Sequence, residues 1–123
     1  MILKNNLYRI AAENKEDKSY NLVLIPDCMI YHAHFPEQPI TPGVCIIQIA
    51  SELLADLYSS SFELSSVSNA KYLAVINPKE TPELTYTFKK VSFDDEKTNV
   101  KVSVVVSNND TIYTKLSLVY KIK

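Results

Sequence analysis

Val44 to Tyr58 holds the one long helical pattern in the chain: Val44, Ile46, Ile47, Ile49, Ala50, Leu53, Leu54 and Leu57 are apolar. That stripe is wider than a surface helix carries, so most of this helix must be buried. Its start is legible. Thr41 is placed to cap it, and Pro42 suits the first helical position, where a missing N–H costs nothing. The run Ser59-Ser60-Ser61 ends it. Gln48, Glu52, Ala55 and Asp56 form a polar stripe at helical spacing. By itself that stripe reads equally well as a solvated face.

The flanking segments read as strands. Asn6 to Ala11 is a short mixed segment, and the polar run Glu13 to Lys18 reads as a hairpin loop before a second strand, Tyr20 to Ile25. Residues 26–41 hold three prolines and little periodicity, which predicts an ordered loop. Beyond the helix, Ser66 to Val75, Leu84 to Phe88, Asn99 to Val106 and Thr111 to Lys121 are further strands. The turns between them are Asn77 to Pro82, Asp94 to Lys97 and Asn108 to Asp110. Strands joined this closely pair antiparallel. A lone buried helix has to be covered by their sheet. The pattern predicts an α+β chain, residues 1–123 as a single domain, with five to six antiparallel strands curled around one long central helix.

Gly43 is the only glycine among 123 residues, so tight turns must rest on Asn, Asp and Pro. Glycine-rich phosphate loops of the Rossmann or P-loop kind are excluded. A net charge of -1 gives no field directed at nucleic acid. The two cysteines, Cys28 and Cys45, do not make a disulfide framework. Cys45 reads as a packed core residue and Lys89-Lys90 as a solvated strand end. No apolar run reaches the roughly 18–20 residues of a membrane span, and none near Met1 suits a secretion signal. The expected compartment is the cytoplasm. His32 and His34 with Asp27 or Glu37 make no distinctive ligand spacing, so neither metal nor cofactor is expected.

The loop before the helix reads His34-Phe35-Pro36-Glu37-Gln38-Pro39-Ile40-Thr41-Pro42-Gly43-Val44 and continues Cys45-Ile46-Ile47-Gln48. It resembles the signature of the β-hydroxyacyl-acyl-carrier-protein dehydratases, roughly HFPGxPxxPGVLxxE. Ala70 to Pro78 resembles the strand that follows the helix in that family. The resemblance covers most of the chain and implies the hot-dog fold. It also implies chemistry on an acyl thioester in fatty-acid or polyketide-type synthesis, with acyl carrier protein or coenzyme A as the carrier. By the resemblance, His34 matches the base that removes a proton beside the thioester carbonyl. The Gly43 N–H matches the donor to the thioester oxygen, and Phe35, Pro42, Gly43 and Val44 are substrate-binding positions. The family's site lies between two subunits, which implies a homodimer.

These matches are physically sound. An imidazole titrates near neutral pH, and a helix N-terminus stabilises developing enolate charge. Two departures stand beside them. Glu37 replaces a glycine, and Gln48 stands where the family has its catalytic carboxylate. An amide hydrogen-bonds a hydroxyl but has no acidic proton to give. Glu52, one turn later on the same face, is the candidate displaced acid, so the expected catalytic set is His34, Gln48 and Glu52. Two other readings stay open: a non-catalytic or heteromeric dehydratase-like subunit, and a hot-dog acyl thioesterase.

Overall fold

The computed structural model describes residues 2–33 and 37–123, so His34 and Phe35 of the expected site lie outside the described residues. The strands are β1 (Tyr8–Asn14), β2 (Ser19–Leu24), β3 (Phe62–Tyr72), β4 (Glu83–Phe93), β5 (Asn99–Asn108) and β6 (Thr111–Ile122). Two helices, α1 (Met29–Ala33) and α2 (Gly43–Tyr58), lie between β2 and β3. The strands form one six-stranded antiparallel sheet in the order β1-β2-β4-β5-β6-β3. This leaves β1 and β3 at its edges.

Several boundaries differ from expectation, for identifiable reasons. The first strand begins at Tyr8 rather than Asn6, because Asn6 and Leu7 donate their N–H groups to the Leu3 carbonyl in a turn. The loop expected over 26–41 contains the short helix α1. β3 starts at Phe62 rather than Ser66 and ends at Tyr72 rather than Val75. Register shifts between Leu64 and Ser66 and between Val67 and Asn69 break its alternation. The residues paired with the buried side of β6 are therefore Leu64, Val67, Ala70 and Tyr72, a spacing that period-two reading misses. A bulge between Phe88 and Lys90 likewise carries β4 on to Phe93, past the point where its alternation ends.

The turns are less selective than glycine scarcity suggested. Asn5 and Asn109 take positive φ, but so do Lys18, Ser59 and Lys97. Ser59 closes α2. Its N–H bonds the Asp56 carbonyl while the Ser60 N–H bonds that of Ala55, the double closure of a Schellman motif.

α2 buries Cys45, Ile46, Ile49, Ala50, Leu53 and Leu54 in the same core as Leu22, Leu84, Phe88, Val100 to Val106 at alternate positions, Leu116 and Leu118. Tyrosine hydroxyls tie the helix to the strands. Tyr8 Oη donates to Glu52 Oε1 at 2.9 Å, Tyr20 Oη to Asp56 Oδ2 at 2.7 Å and Tyr86 Oη to the Ile46 carbonyl at 3.0 Å. Tyr120 Oη pairs with Ser51 Oγ at 2.8 Å. These four phenols come from β1, β2, β4 and β6 and are all buried. Burial pushes the Tyr120 phenol up to about 12 and raises those of Tyr8 and Tyr20 further. All therefore stay protonated at neutral pH. Such bonds contribute about 1 kcal/mol each, and about 1.5–3 kcal/mol where the acceptor is a carboxylate.

Candidate active site

The helix start is built differently from expectation. Pro42 is itself the N-cap, in extended conformation, and Gly43 is the first helical residue. Thr41 does not cap. Its backbone N–H bonds the Ile76 carbonyl at 2.8 Å, and its buried hydroxyl pairs with Tyr31 Oη at 2.8 Å. In the first turn, the Cys45 and Ile46 N–H groups return to the Pro42 carbonyl at 2.9 and 3.1 Å. Those of Gly43 and Val44 have no partner among the described residues. Two donors are thus available at the positive end of the helix dipole.

The absence of a side chain at Gly43 is used for close packing, not for a turn. A Cβ there would lie 2.7 Å from Tyr72 Oη and 2.8 Å from its Cζ. Tyr72 ends β3 and stands over the helix start, in a cleft of about 320 Å³ lined also by Ile40, Thr41, Ile46 and Leu73 to Ile76.

A larger groove of about 720 Å³ runs beside it along α2. Val44, Ile47, Gln48, Ser51 and Glu52 line one wall, Phe62, Leu64 and Val67 of β3 another, and Ile2 closes part of it. Val44 is 71% exposed and Ile2 73%, so this groove carries apolar side chains outside the core. Of the expected site residues, Val44, Gln48 and Glu52 share the groove, and Gly43 sits in the neighbouring cleft. His32 is exposed on α1. No three metal-ligating side chains come together among the described residues.

The polar stripe of α2 is half-buried rather than a plain solvated face. Gln48 Nε2 donates to Glu52 Oε2 at 2.9 Å. The same oxygen accepts the Leu3 N–H at 2.8 Å. Glu52 Oε1 accepts the Lys4 N–H at 2.9 Å and the Tyr8 hydroxyl. Both oxygens of Glu52 are therefore taken by donors that fasten the N-terminal segment and orient the Gln48 amide.

A family model described as ApeI dehydratase matches residues 11–114. The chain belongs to the ApeI-like dehydratase family. Among solved structures it is similar to the dehydratase heterocomplex ApeI:P of Xenorhabdus doucetiae, at 21% identity over 84% of this chain and 85% of that one, with a TM-score of 0.60. An uncharacterised protein of Erwinia carotovora subsp. atroseptica is 20% identical, with 94% and 91% of the chains covered and a TM-score of 0.54. A thioesterase of Pseudomonas aeruginosa is 15% identical over 94% of this chain and 80% of that one, with a TM-score of 0.61. These likenesses establish the hot-dog fold. No curated protein matches the chain by sequence.

For this ApeI-like chain, the dehydratase character read from the His34-to-Gly43 loop holds at the level of family and fold. Sequence reasoning missed Tyr72 and the tyrosines that seat α2. Eight tyrosines in a chain without tryptophan was the available signal, since a buried phenol seeks an acceptor.

Proposed function

We propose that this chain is a dehydratase subunit acting on β-hydroxyacyl thioesters carried by acyl carrier protein or coenzyme A, in fatty-acid or polyketide-type synthesis. The carrying observation is the pair of N–H groups at Gly43 and Val44, without a partner among the described residues, at the start of a largely buried helix in an ApeI-family chain. The thioester oxygen sits on the Gly43 N–H, where charge develops as the neighbouring carbon loses its proton. His34 is the base. Gln48 orients the departing hydroxyl, which takes up the proton that His34 removed and leaves as water, while Glu52 holds the Gln48 amide in place rather than delivering a proton. Phe35, Pro42 and Val44 shape the acyl site. The sheet curls around α2, a reading supported by phenols from four strands reaching that helix. The working unit is a dimer formed over the groove beside β3, whose edge carries no further strand.

A second reading is favoured by Gln48 itself. A subunit with an amide in place of the acid fits a heteromeric dehydratase, and the Xenorhabdus relative is described as a heterocomplex. A thioesterase is less favoured, because Glu52 has no oxygen left to activate water.

Turnover and binding of a β-hydroxyacyl pantetheine thioester by wild type, His34→Ala and Gln48→Glu decide between these readings. Loss of about 10²-fold or more in His34→Ala from an active wild type supports catalysis. An inert wild type that gains rate in Gln48→Glu supports the heteromeric subunit. If no variant binds the thioester, the assignment fails.

A further inference from the structure

Four polar groups in or beside the residues where β3 meets the start of α2 have no partner among the described residues, and two of them, on Gly43 and Tyr72, share one cleft. Two are the Gly43 and Val44 N–H groups. The third is the Tyr72 hydroxyl, which stands over the Gly43 Cα and has no hydrogen-bond partner among the described residues. The fourth is Thr114 Oγ1, fully buried and unpaired. Tyr72 and Thr114 are directly paired across β3 and β6, so their side chains rise from the same side of the sheet. Of the four only Thr114 Oγ1 is buried; Gly43 and Tyr72 line one cleft, where an N–H and an O–H can donate to a single acceptor. Half of Tyr72 is exposed, in the cleft of about 320 Å³. Partial burial raises its phenol above the usual value, so the group is a donor at neutral pH.

We propose that Tyr72 is a substrate-positioning donor of the acyl-thioester site, its phenol O–H joining the Gly43 N–H on the thioester carbonyl oxygen. This rests on the dehydratase reading above and names a residue which that reading does not use. Tyr72 makes no proton transfer; it holds the carbonyl where the helix start stabilises the enolate. The missing side chain at Gly43 then has a definite purpose, because any Cβ would displace the phenol.

The test compares wild type, Tyr72→Phe and His34→Ala on a β-hydroxyacyl pantetheine thioester. Tyr72→Phe keeps the ring and removes only the donor. Expected are a kcat lower by about 10-fold, a KM within about 2-fold and an unchanged Tm, the pattern of a lost transition-state contact. Wild-type kcat in Tyr72→Phe, with His34→Ala impaired, overturns the proposal and leaves the dehydratase reading intact. For a wild type that binds without turnover, the infrared carbonyl stretch of a bound β-hydroxyacyl pantetheine amide is the readout. It moves to higher frequency in Tyr72→Phe if the phenol bonds the carbonyl, and an unmoved band overturns the assignment. A wild type that neither binds nor reacts overturns both.

Discussion

Glu52 accepts two backbone N–H groups, a phenol and an amide on its two oxygens. Replacing it by Ala leaves the Leu3 and Lys4 amides, Tyr8 and Gln48 each without their acceptor. The expected loss of stability is about 2–4 kcal/mol, since hydrogen bonds to charged groups contribute about 1.5–3 kcal/mol each and exposed members count for less. Urea unfolding of Glu52→Ala and Glu52→Gln measures it. If Glu52 positions Gln48, Glu52→Gln retains turnover within a few-fold wherever it remains folded. A loss as deep as that of His34→Ala would instead restore Glu52 as an acid. The helical spacing of Gln48 and Glu52 was legible from sequence. That both oxygens of Glu52 face donors from residues 3, 4 and 8 was not, because those contacts span more than forty positions.

The elements test the same physics where the chain turns without glycine. Ser59 takes φ 49° at the end of α2. A left-handed residue other than glycine carries a cost of about 1 kcal/mol, so Ser59→Gly is expected to stabilise by about 0.5–1 kcal/mol, read as a higher urea midpoint. At the β4–β5 turn, Asp94 accepts the Thr98 and Asn99 N–H groups at 2.7 and 3.2 Å and the Thr98 hydroxyl at 2.9 Å. These bonds, the Asn99 N–H first among them, hold its carboxyl down at about 2, below its ordinary 3.8. A lowered folded-state value means that the unfolded chain binds the proton more readily. The contribution is therefore full above about pH 4 and lost as pH falls toward 2. Asp94→Ala is expected to lower Tm at neutral pH, with the gap closing across that acid window. Asp94 was visible in the sequence as part of a turn; its role as acceptor for the turn's amides depended on the hairpin closing around Lys97.

On the scale of the molecule, the groove beside α2 and the unpaired edge of β3 bear on assembly. Leu64 and Val67 stay 40% and 42% exposed there, although their cross-strand partners Tyr120 and Leu118 are buried. Stable protein interfaces cover about 800 Å² per partner, and an apolar groove of this extent suits the centre of one. Val67→Lys is expected to convert a dimer to monomers in sedimentation and to remove activity with it, if the site is shared. A monomeric variant with full turnover would show that each subunit holds a complete site.

The sequence by itself determined the long, largely buried helix and the strand-rich remainder, because these depend on period and local order. Tertiary structure decided where the described polar residues near α2 sit and what they bond. The bulges in β3 turned Tyr72 toward the helix start, and the turn at Leu3 to Leu7 brought two backbone amides and Tyr8 to Glu52. Thr41 paired with Tyr31 instead of capping α2. Each outcome arises from donors and acceptors finding partners across the fold, a matter that spacing along the chain does not record.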